Sequence, residues 1–197
     1  NVDYQKNGLQ NRNQVKTQNG AHWLTIPVNK KSGSKINQMK TDKKLNWVKK
    51  HLQTINENYK KSSVYLENKN EFENIYKINA ENLSNLNIEL IKFFLKLMKI
   101  NRNILLASEL DVRGSKSELI CNLCKKVGAE IYISGDGGKN YLEHKFFLKK
   151  NIKIKFVKKS KIKAYQQLID ANNFIENLSI LDLIFCTNGK WKDYICN

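Results

Sequence analysis

The stretch Glu130-Ile-Tyr-Ile-Ser-Gly-Asp-Gly-Gly-Lys-Asn-Tyr141 decides the fold class, because a short apolar run breaks there into a glycine-rich turn. The apolar residues at 131–133 predict a strand, and a helix is expected just after the turn. Gly135, Gly137 and Gly138 leave backbone N–H groups unshielded, so the turn can approach an anionic or polar ligand closely. The alternative is a glycine turn that only links the strand to the helix. The pattern matches neither the P-loop nor the dinucleotide fingerprint.

Similar signals recur on both sides of this stretch. Strands are expected near residues 23–28, 104–108, 131–134 and 152–157. Helices are expected over 44–59, 65–76, 87–99, 117–127, 141–150 and 178–185. Strands that alternate with helices are typical of βαβ units and a parallel sheet. The sequence therefore predicts an α/β fold with a three-layer, mostly parallel sheet flanked by helices, similar to a Rossmann fold.

The composition restricts the class of protein. A chain of 197 residues that is 41% hydrophobic is expected to form one globular domain. No stretch approaches the roughly 20 apolar residues that a membrane-spanning helix requires. The four cysteines do not amount to a disulfide framework in a chain of this length, so we predict reduced thiols and a cytoplasmic protein. Cys124 is interpreted as a core residue, the histidines His22, His51 and His144 as structural, and no metal site is expected.

The net charge of +17 comes from lysine rather than arginine. Only Arg12, Arg102 and Arg113 are arginines, whereas proteins that recognise nucleic acids usually employ arginine forks. Lysines scattered over solvated helix faces explain most of this charge. The charge favours either phosphate-bearing small molecules or an anionic membrane surface as partners, and no specific nucleic acid is expected.

The carboxyl ends of parallel strands meet at one edge of a sheet, and ligands bind there in open α/β folds. This rule selects three loops: residues 108–115, the turn at 134–140, and the segment after residue 157 that contains Tyr165, Gln166 and Gln167. Loops at a surface are also polar without any function, so the rule alone assigns no reaction.

Asp182 is unusual because it lies in an apolar helix of Leu, Ile and Phe residues. Burying a carboxylate is costly unless the group is paired or hydrogen-bonded. Asp182 either contacts a basic residue of a site or binds a neighbouring helix N-terminus. Ser179 shares its helix face, and could equally cap the helix.

Several sequence strings occur along the chain in a characteristic order. They are Asn11-Arg12-Asn13 with Lys16 and Gly20; Trp23-Leu-Thr-Ile-Pro-Val28; the helix ending in Cys124; Gly128-Ala129; Tyr132-Ile-Ser-Gly135; Gly137-Gly138 with Tyr141-Leu142; Tyr165-Gln166; Phe174; and Leu178-Ser-Ile-Leu-Asp-Leu183. Together they resemble the WbqC-like protein family of bacterial polysaccharide-synthesis clusters, from about residue 3 to residue 189. The string Phe185-Cys-Thr-Asn-Gly189 departs from the family pattern, so Asn188 is given no role.

Members of that family normally begin with a further strand followed by a Gln-Pro-x-x-x-Pro-like motif. This motif is absent from the sequence given. We therefore expect a single α/β domain over residues 1–197 that lacks an N-terminal first strand.

The resemblance implies an enzyme of O-antigen, capsule or related surface-glycan synthesis. The implied reaction attaches an amino acid such as glycine to an amino sugar, itself nucleotide-linked, by amide formation. Such an enzyme is a sugar N-acyl or aminoacyltransferase, or an ATP-dependent amide ligase. The activated carboxyl is either an acyl-adenylate made from ATP or a carrier thioester or ester, which leaves the cofactor open. The alternative is a non-catalytic module that docks in the glycan pathway, or on RNA, through a lysine-rich surface.

The resemblance also suggests a role for each site residue. Asn11, Arg12, Asn13 and Lys16 would bind the nucleotide or the sugar diphosphate. Backbone N–H groups of Ser134, Gly135, Gly137 and Gly138 would bind phosphate or a developing oxyanion. The catalytic residues would be Asp182, which would accept the ammonium or hold a cationic side chain, and Tyr141, which would orient the sugar with Gln166. Ser179 would contribute to ligand binding.

Overall fold

The computed structural model describes residues 2–29, 35–42, 45–168 and 173–196. These residues form two compact units, which are described separately. Unit 1 lies within Asn1–Asn101 and Ile162–Cys196, and unit 2 is Arg102–Lys161.

The described elements follow one another in this order: β1 (Arg12–Thr17), β2 (Gly20–Thr25), α1 (Trp47–Tyr59), α2 (Ser63–Asn79), α3 (Leu83–Leu97), α4 (Lys116–Lys126), β3 (Ile131–Gly135), α5 (His144–Leu148), β4 (Lys153–Val157), β5 (Lys161–Ile162), α6 (Ile180–Cys186) and β6 (Ile195–Cys196). Short 3-10 helices occupy Ile36–Gln38, Ala107–Glu109, Asp136–Asn140 and Trp191–Tyr194. Among the residues described, no helix is both long and apolar enough to cross a bilayer.

Unit 1 begins with the antiparallel hairpin of β1 and β2. Gly20 adopts a positive φ of 94° at its turn, a conformation that glycine accepts without steric cost. Val15 and Lys16 are consecutive and only 1% and 3% exposed. Because neighbouring side chains of a strand point to opposite faces, both faces of β1 are covered at this point.

The core of unit 1 is built from one face of each long helix and from α6. Phe185 of α6 is its centre, with ring centroids 5.7 Å from Tyr59, 5.3 Å from Tyr65 and 6.2 Å from Phe72. Ser62 caps α2 by accepting from the Tyr65 N–H, and its hydroxyl donates to the Phe185 carbonyl at 2.7 Å. This cap therefore joins the start of α2 to α6.

Unit 2 contains a parallel pair, in which β3 runs beside β4 from Ile131↔Lys153 to Gly135↔Val157. One face of the pair packs on α4 and α5, and the Tyr132 ring stacks on Phe147 at 5.5 Å. Cys124 is buried in this cluster, which confirms its interpretation as a core residue.

The structure confirms a mixed α/β chain, but it does not confirm the three-layer Rossmann-like sheet. The described strands form three separate pairs: β1 with β2, β3 with β4, and β5 with β6. The strand expected at 23–28 ends at Thr25 and belongs to the antiparallel hairpin. Residues 104–108 form no strand; Ile104 and Leu105 are exposed, and a 3-10 helix begins at Ala107. A short apolar run specifies a strand only where neighbouring strands accept its hydrogen bonds.

Candidate functional site

A cavity of about 450 Å³ lies in unit 1, and all of its lining residues belong to this unit. Val15, His51 and Phe72 are buried and form its floor, whereas the exposed Leu9 and Ile91 mark its rim. Its lining includes four of the residues predicted from the sequence: Asn11, Arg12, Asn13 and Ser179. The structure therefore brings together one third of the predicted site.

The Arg12 side chain is held in place at this cavity while one of its donors stays unused. Its Nη2 donates to the Asn7 carbonyl at 2.6 Å, and the guanidinium carbon lies 4.5 Å from the centroid of the Trp23 ring. The Nε atom is buried and has no hydrogen-bond partner among the described residues. This atom has less than 1 Å² of accessible surface, so it is an unsatisfied donor that a ligand does not reach directly.

The two asparagines beside Arg12 differ in their surroundings. Asn11 is buried, and its Nδ2 donates to the Ile26 carbonyl at 2.8 Å while its own carbonyl accepts from the Ile26 N–H. Asn11 thus continues the hairpin pairing beyond β1. Asn13 is exposed, and its Oδ1 accepts from the Gln14 N–H at 2.8 Å.

Ser179 caps α6, which confirms one of its two predicted roles. Its hydroxyl accepts from the Leu181 N–H at 3.4 Å, and its own N–H donates to the Gln14 carbonyl at 2.8 Å. Ser179 therefore fixes the start of α6 against β1, where the serine also lines the cavity.

His51 is a residue of the cavity that the sequence analysis did not select. It shares the buried face of α1 with Trp47, Ile55 and Tyr59, at a constant spacing of four residues. A polar residue within such an apolar stripe was the signal that could have identified it. Burial lowers the pKa of His51 to about 4, although its hydrogen bond to the Thr25 carbonyl acts in the opposite direction. The imidazole is therefore neutral near pH 7.

We expect His51 to make the stability of the protein depend on pH. Its folded-state pKa of about 4 lies below the ordinary 6.5 of an unfolded chain, so the neutral form favours folding. This contribution, about 3 kcal/mol, is complete above pH 6.5 and is lost as the pH falls toward 4. Urea unfolding across this range should show a smaller pH dependence in His51→Gln. The exposed control His144→Gln should behave as wild type, and identical profiles for both variants would contradict this account.

Asp182 is the centre of a second, buried cluster in unit 1. Its carboxylate is 0% exposed. Its Oδ1 accepts from the Tyr59 hydroxyl at 2.6 Å, and its Oδ2 accepts from the Tyr165 hydroxyl at 2.6 Å and from Gln167 Nε2 at 3.2 Å. The sequence analysis selected Gln166, which is exposed, whereas the next residue makes this contact.

The groups around Asp182 are held in their protonated forms. Burial, followed by the charge of Asp182, raises the pKa of Tyr59 and of Tyr165 above the ordinary value, so both stay hydrogen-bond donors. The same two causes raise the pKa of the Cys186 thiol to about 12, which makes it a poor nucleophile at neutral pH. Lys16 is buried, and its Nζ donates to the Asn173 carbonyl at 3.1 Å. Its positive charge lowers the pKa of Cys186, against the effects of burial and of Asp182.

Replacing Asp182 by alanine should destabilise the fold. The change removes the acceptor of the hydroxyls of the buried Tyr59 and the half-buried Tyr165 and of the Gln167 amide, and each unsatisfied buried donor costs about 1–3 kcal/mol. We expect a loss of about 3–5 kcal/mol in the free energy of unfolding, measured by urea titration. The exposed Asp193→Ala should change it by less than about 0.5 kcal/mol. An Asp182→Ala protein as stable as Asp193→Ala would contradict the structural role.

The remaining predicted residues lie in unit 2 around the glycine turn after β3. Ser134 is buried and donates from Oγ to the Gly135 carbonyl at 3.1 Å, and the turn continues as the 3-10 helix Asp136–Asn140. A Cβ at Gly138 would collide with Ser134 Oγ, whereas a Cβ at Gly135 or Gly137 would meet no described atom within 4 Å. Packing therefore explains why residue 138 is a glycine. The other two glycines remain open to a ligand, and so does Tyr141, which is 63% exposed.

Gly138→Ala should lower the free energy of unfolding of the protein by about 1–3 kcal/mol, because its methyl group overpacks against Ser134 and Leu142. Gly137→Ala, which adds the same methyl group one residue earlier, should change it by less than about 0.5 kcal/mol. Thermal or urea unfolding of the two variants measures the difference. Equal stability of the two would show that the turn does not require a glycine at residue 138.

The three groups of predicted residues differ in what they could hold. Among the residues described, no three His, Cys, Asp or Glu side chains come together as a metal site would require. The cavity offers a volume for an organic ligand, the Asp182 cluster is a closed hydrogen-bonded network, and the turn in unit 2 offers exposed backbone.

Comparison with known proteins identifies the family of the chain. The model of the WbqC-like protein family matches residues 1–193, so the chain belongs to this family. It is 28% identical over 197 residues to "Uncharacterized protein Rv1507c" of Mycobacterium tuberculosis (strain ATCC 25618 / H37Rv), a match that covers 98% of this chain and 84% of the relative. No solved structure matches the chain. Membership of the family suggests a role in a glycan pathway.

Proposed function

We propose that this member of the WbqC-like protein family is an enzyme of bacterial surface-polysaccharide synthesis. It attaches an amino acid such as glycine, or another acyl group, to the amine of a nucleotide-linked amino sugar. The cavity of unit 1 carries the proposal, because it combines a volume suited to an organic substrate with the cationic residue Arg12 in its lining.

Amide formation requires an activated carboxyl group. In the ATP-dependent form, the carboxylate attacks the α-phosphorus of ATP, pyrophosphate leaves, and an acyl-adenylate results. The sugar amine then attacks the acyl carbon, the C–N bond forms, AMP leaves with the C–O bonding electrons, and the nitrogen releases a proton. In the carrier form, a thiolate or an alcohol of the carrier leaves in place of AMP.

Arg12 is the residue of the cavity suited to an anionic group of either substrate. Its guanidinium is fixed on Trp23 and at the Asn7 carbonyl, so little entropy is lost when this group binds a phosphate or a carboxylate. The exposed Asn13 stands beside it and can contribute amide contacts.

Asp182 acts in this proposal as a positioning residue. It lies in the first turn of α6, and its N–H donates to the Ser179 carbonyl at 2.9 Å. The Tyr59 and Tyr165 hydroxyls anchor its carboxylate, and this anchor holds the residues of α6 that line the cavity. The buried Lys16 acts through its charge on Cys186, which belongs to the same helix α6.

The turn of unit 2 is a separate proposed ligand site. Backbone N–H groups from Ser134 to Gly138 bind a phosphate or the developing oxyanion, as unshielded amides do in other enzymes. Tyr141 of unit 2 and Gln166 of unit 1 are both exposed, and each is proposed separately as a contact for a sugar.

The enzyme is tested by incubating the purified chain with an amino-sugar nucleotide, glycine and ATP, and by measuring the amide product by mass spectrometry. Arg12→Ala should lower kcat/KM by about tenfold to a hundredfold, because a charge-assisted hydrogen bond to the substrate is lost. The exposed Arg113→Ala of unit 2 is the matched control and should keep wild-type activity.

The outcomes separate the possible functions. Product formation that stops when ATP is omitted indicates the ligase, whereas product formed without ATP from an acyl thioester indicates the transferase. Unchanged kcat/KM in Arg12→Ala contradicts the proposed site. No product under either condition, together with salt-dependent binding of RNA without sequence preference, favours the non-catalytic alternative.

A further inference from the structure

One face of the parallel pair in unit 2 is open to solvent. Its side chains are those of Ile131 and Ile133 in β3 and of Lys153, Lys155 and Val157 in β4. The two isoleucines are 51% and 62% exposed, and the valine is 41% exposed. The side chains between them point the other way, into the cluster with α4 and α5. Parallel sheets are normally covered on both faces, so we expect a partner on these five residues, which we term the open face.

A groove of about 410 Å³ adjoins the open face at the start of β3. Ile131 and Lys153 belong to both the groove and the face, and Lys125 and Lys150 add two more cations to the groove lining. All three lysines are exposed. The lining also contains Glu130, and the C-terminus of α4 adds about half a negative charge. The positive charges of the groove therefore outweigh the negative ones.

Unit 2 as a whole is strongly basic. Residues 102–161 contain fourteen Lys or Arg residues and six Asp or Glu residues, an excess of eight positive charges. Two of these acids already form ion pairs, Asp136 with Lys139 and Glu143 with Lys145. The open face and its groove thus lie in a positive field. Such a field attracts an anionic partner and repels a second copy of this basic chain.

The residue types of the open face favour a lipid surface over a nucleic acid or an acidic protein. Single-stranded nucleic acids stack on aromatic side chains, whereas the apolar residues of this face are aliphatic. Paired carboxylates are bound best by the planar forks of arginine, whereas the cations here are lysines. Three aliphatic side chains are also few for a standard protein interface, which buries about 800 Å² on each partner. Lysines beside protruding aliphatic side chains suit phosphate headgroups above acyl chains.

We propose that the open face of unit 2 binds the surface of an anionic membrane. Lys125, Lys150 and Lys153 contact lipid phosphate groups, while Ile131 and Ile133 insert between the headgroups. The association is peripheral and reversible, because each lysine near an anionic leaflet contributes only about fivefold in affinity. This inference goes beyond the proposed amide-forming reaction and does not depend on it.

Cosedimentation of the purified chain with lipid vesicles tests the proposal, without ATP or sugar nucleotide. Vesicles of equal parts phosphatidylcholine and phosphatidylglycerol should bind the protein, and vesicles of phosphatidylcholine alone should bind little of it. Binding should weaken strongly at about 1 M salt, where charges are screened beyond about 3 Å. Glycerol 1-phosphate at millimolar concentration supplies the phosphate group without the lipid, and should not release the protein from the vesicles.

Two triple variants attribute the binding to the groove. Replacing its three lysines by glutamine should weaken binding to the anionic vesicles by about a hundredfold, from about fivefold for each residue. The matched control makes the same change of net charge at three exposed lysines of unit 1, and should bind within about fivefold of wild type. The first variant is Lys125→Gln, Lys150→Gln and Lys153→Gln, and the control is Lys50→Gln, Lys60→Gln and Lys61→Gln.

A tryptophan on the open face tests whether its apolar side chains enter the lipid. Ile133→Trp should show additional quenching by anionic vesicles whose acyl chains carry bromine, compared with the wild-type tryptophans. Leu66→Trp is the matched control, because Leu66 is similarly exposed on α2 of unit 1, and it should show no additional quenching.

Four results would overturn the proposal: equal binding to both kinds of vesicle, equal loss of binding in the two triple variants, no additional quenching in Ile133→Trp, or release by glycerol 1-phosphate. The last of these would show that the groove binds a soluble phosphate. A chain that binds anionic vesicles but forms no amide would reject the proposed function alone. A chain that forms the amide but does not bind the vesicles would reject this inference alone.

Discussion

The buried carboxylate of Asp182 is the constraint on which unit 1 depends. It is 0% exposed, so its charge is tolerable only because hydroxyl and amide donors surround it. Those donors come from α1 and from the segment at 165–167, while the acceptor belongs to α6. One side chain thus connects three parts of the chain that are far apart in sequence. The start of α6, which lines the cavity, is fixed as a result.

The cavity and the Asp182 cluster show two opposite ways of placing polar groups in a core. Around Asp182 both carboxylate oxygens have hydrogen-bond partners, which makes the cluster a rigid support. In the cavity, His51 Nδ1 and Arg12 Nε have none among the described residues. A fold that keeps two buried polar atoms without hydrogen-bond partners loses stability at each of them.

The sequence predicts the local elements of this protein better than their pairing. Helical spacing identified α1 and the apolar helix that contains Asp182, because each must bury one face whatever surrounds it. The run at 104–108 formed no strand, because sheet pairing depends on partners that a local pattern does not specify.

For the candidate site, too, the sequence indicated some of the residues, whereas their contacts became visible only in the folded chain. Asn11, Arg12, Asn13 and Ser179 were selected from the sequence and lie at one cavity. The contact of Gln167 with Asp182 was not predicted, because only the folded chain shows which of two adjacent amides faces inward. His51 was interpreted as structural, since the lack of a partner for one ring nitrogen is visible only in three dimensions.

The central claim is that the cavity of unit 1 is a ligand site and that Arg12, one of its lining residues, contacts an anionic group of the substrate. Nitrogen-15 NMR of the arginine side chains measures this directly, because the signals of a guanidinium group shift when an anion binds beside it. The account predicts that the Arg12 signals change when an amino-sugar nucleotide is added, whereas those of the exposed Arg113 of unit 2 stay the same. Arg12 signals that no substrate alters would contradict it.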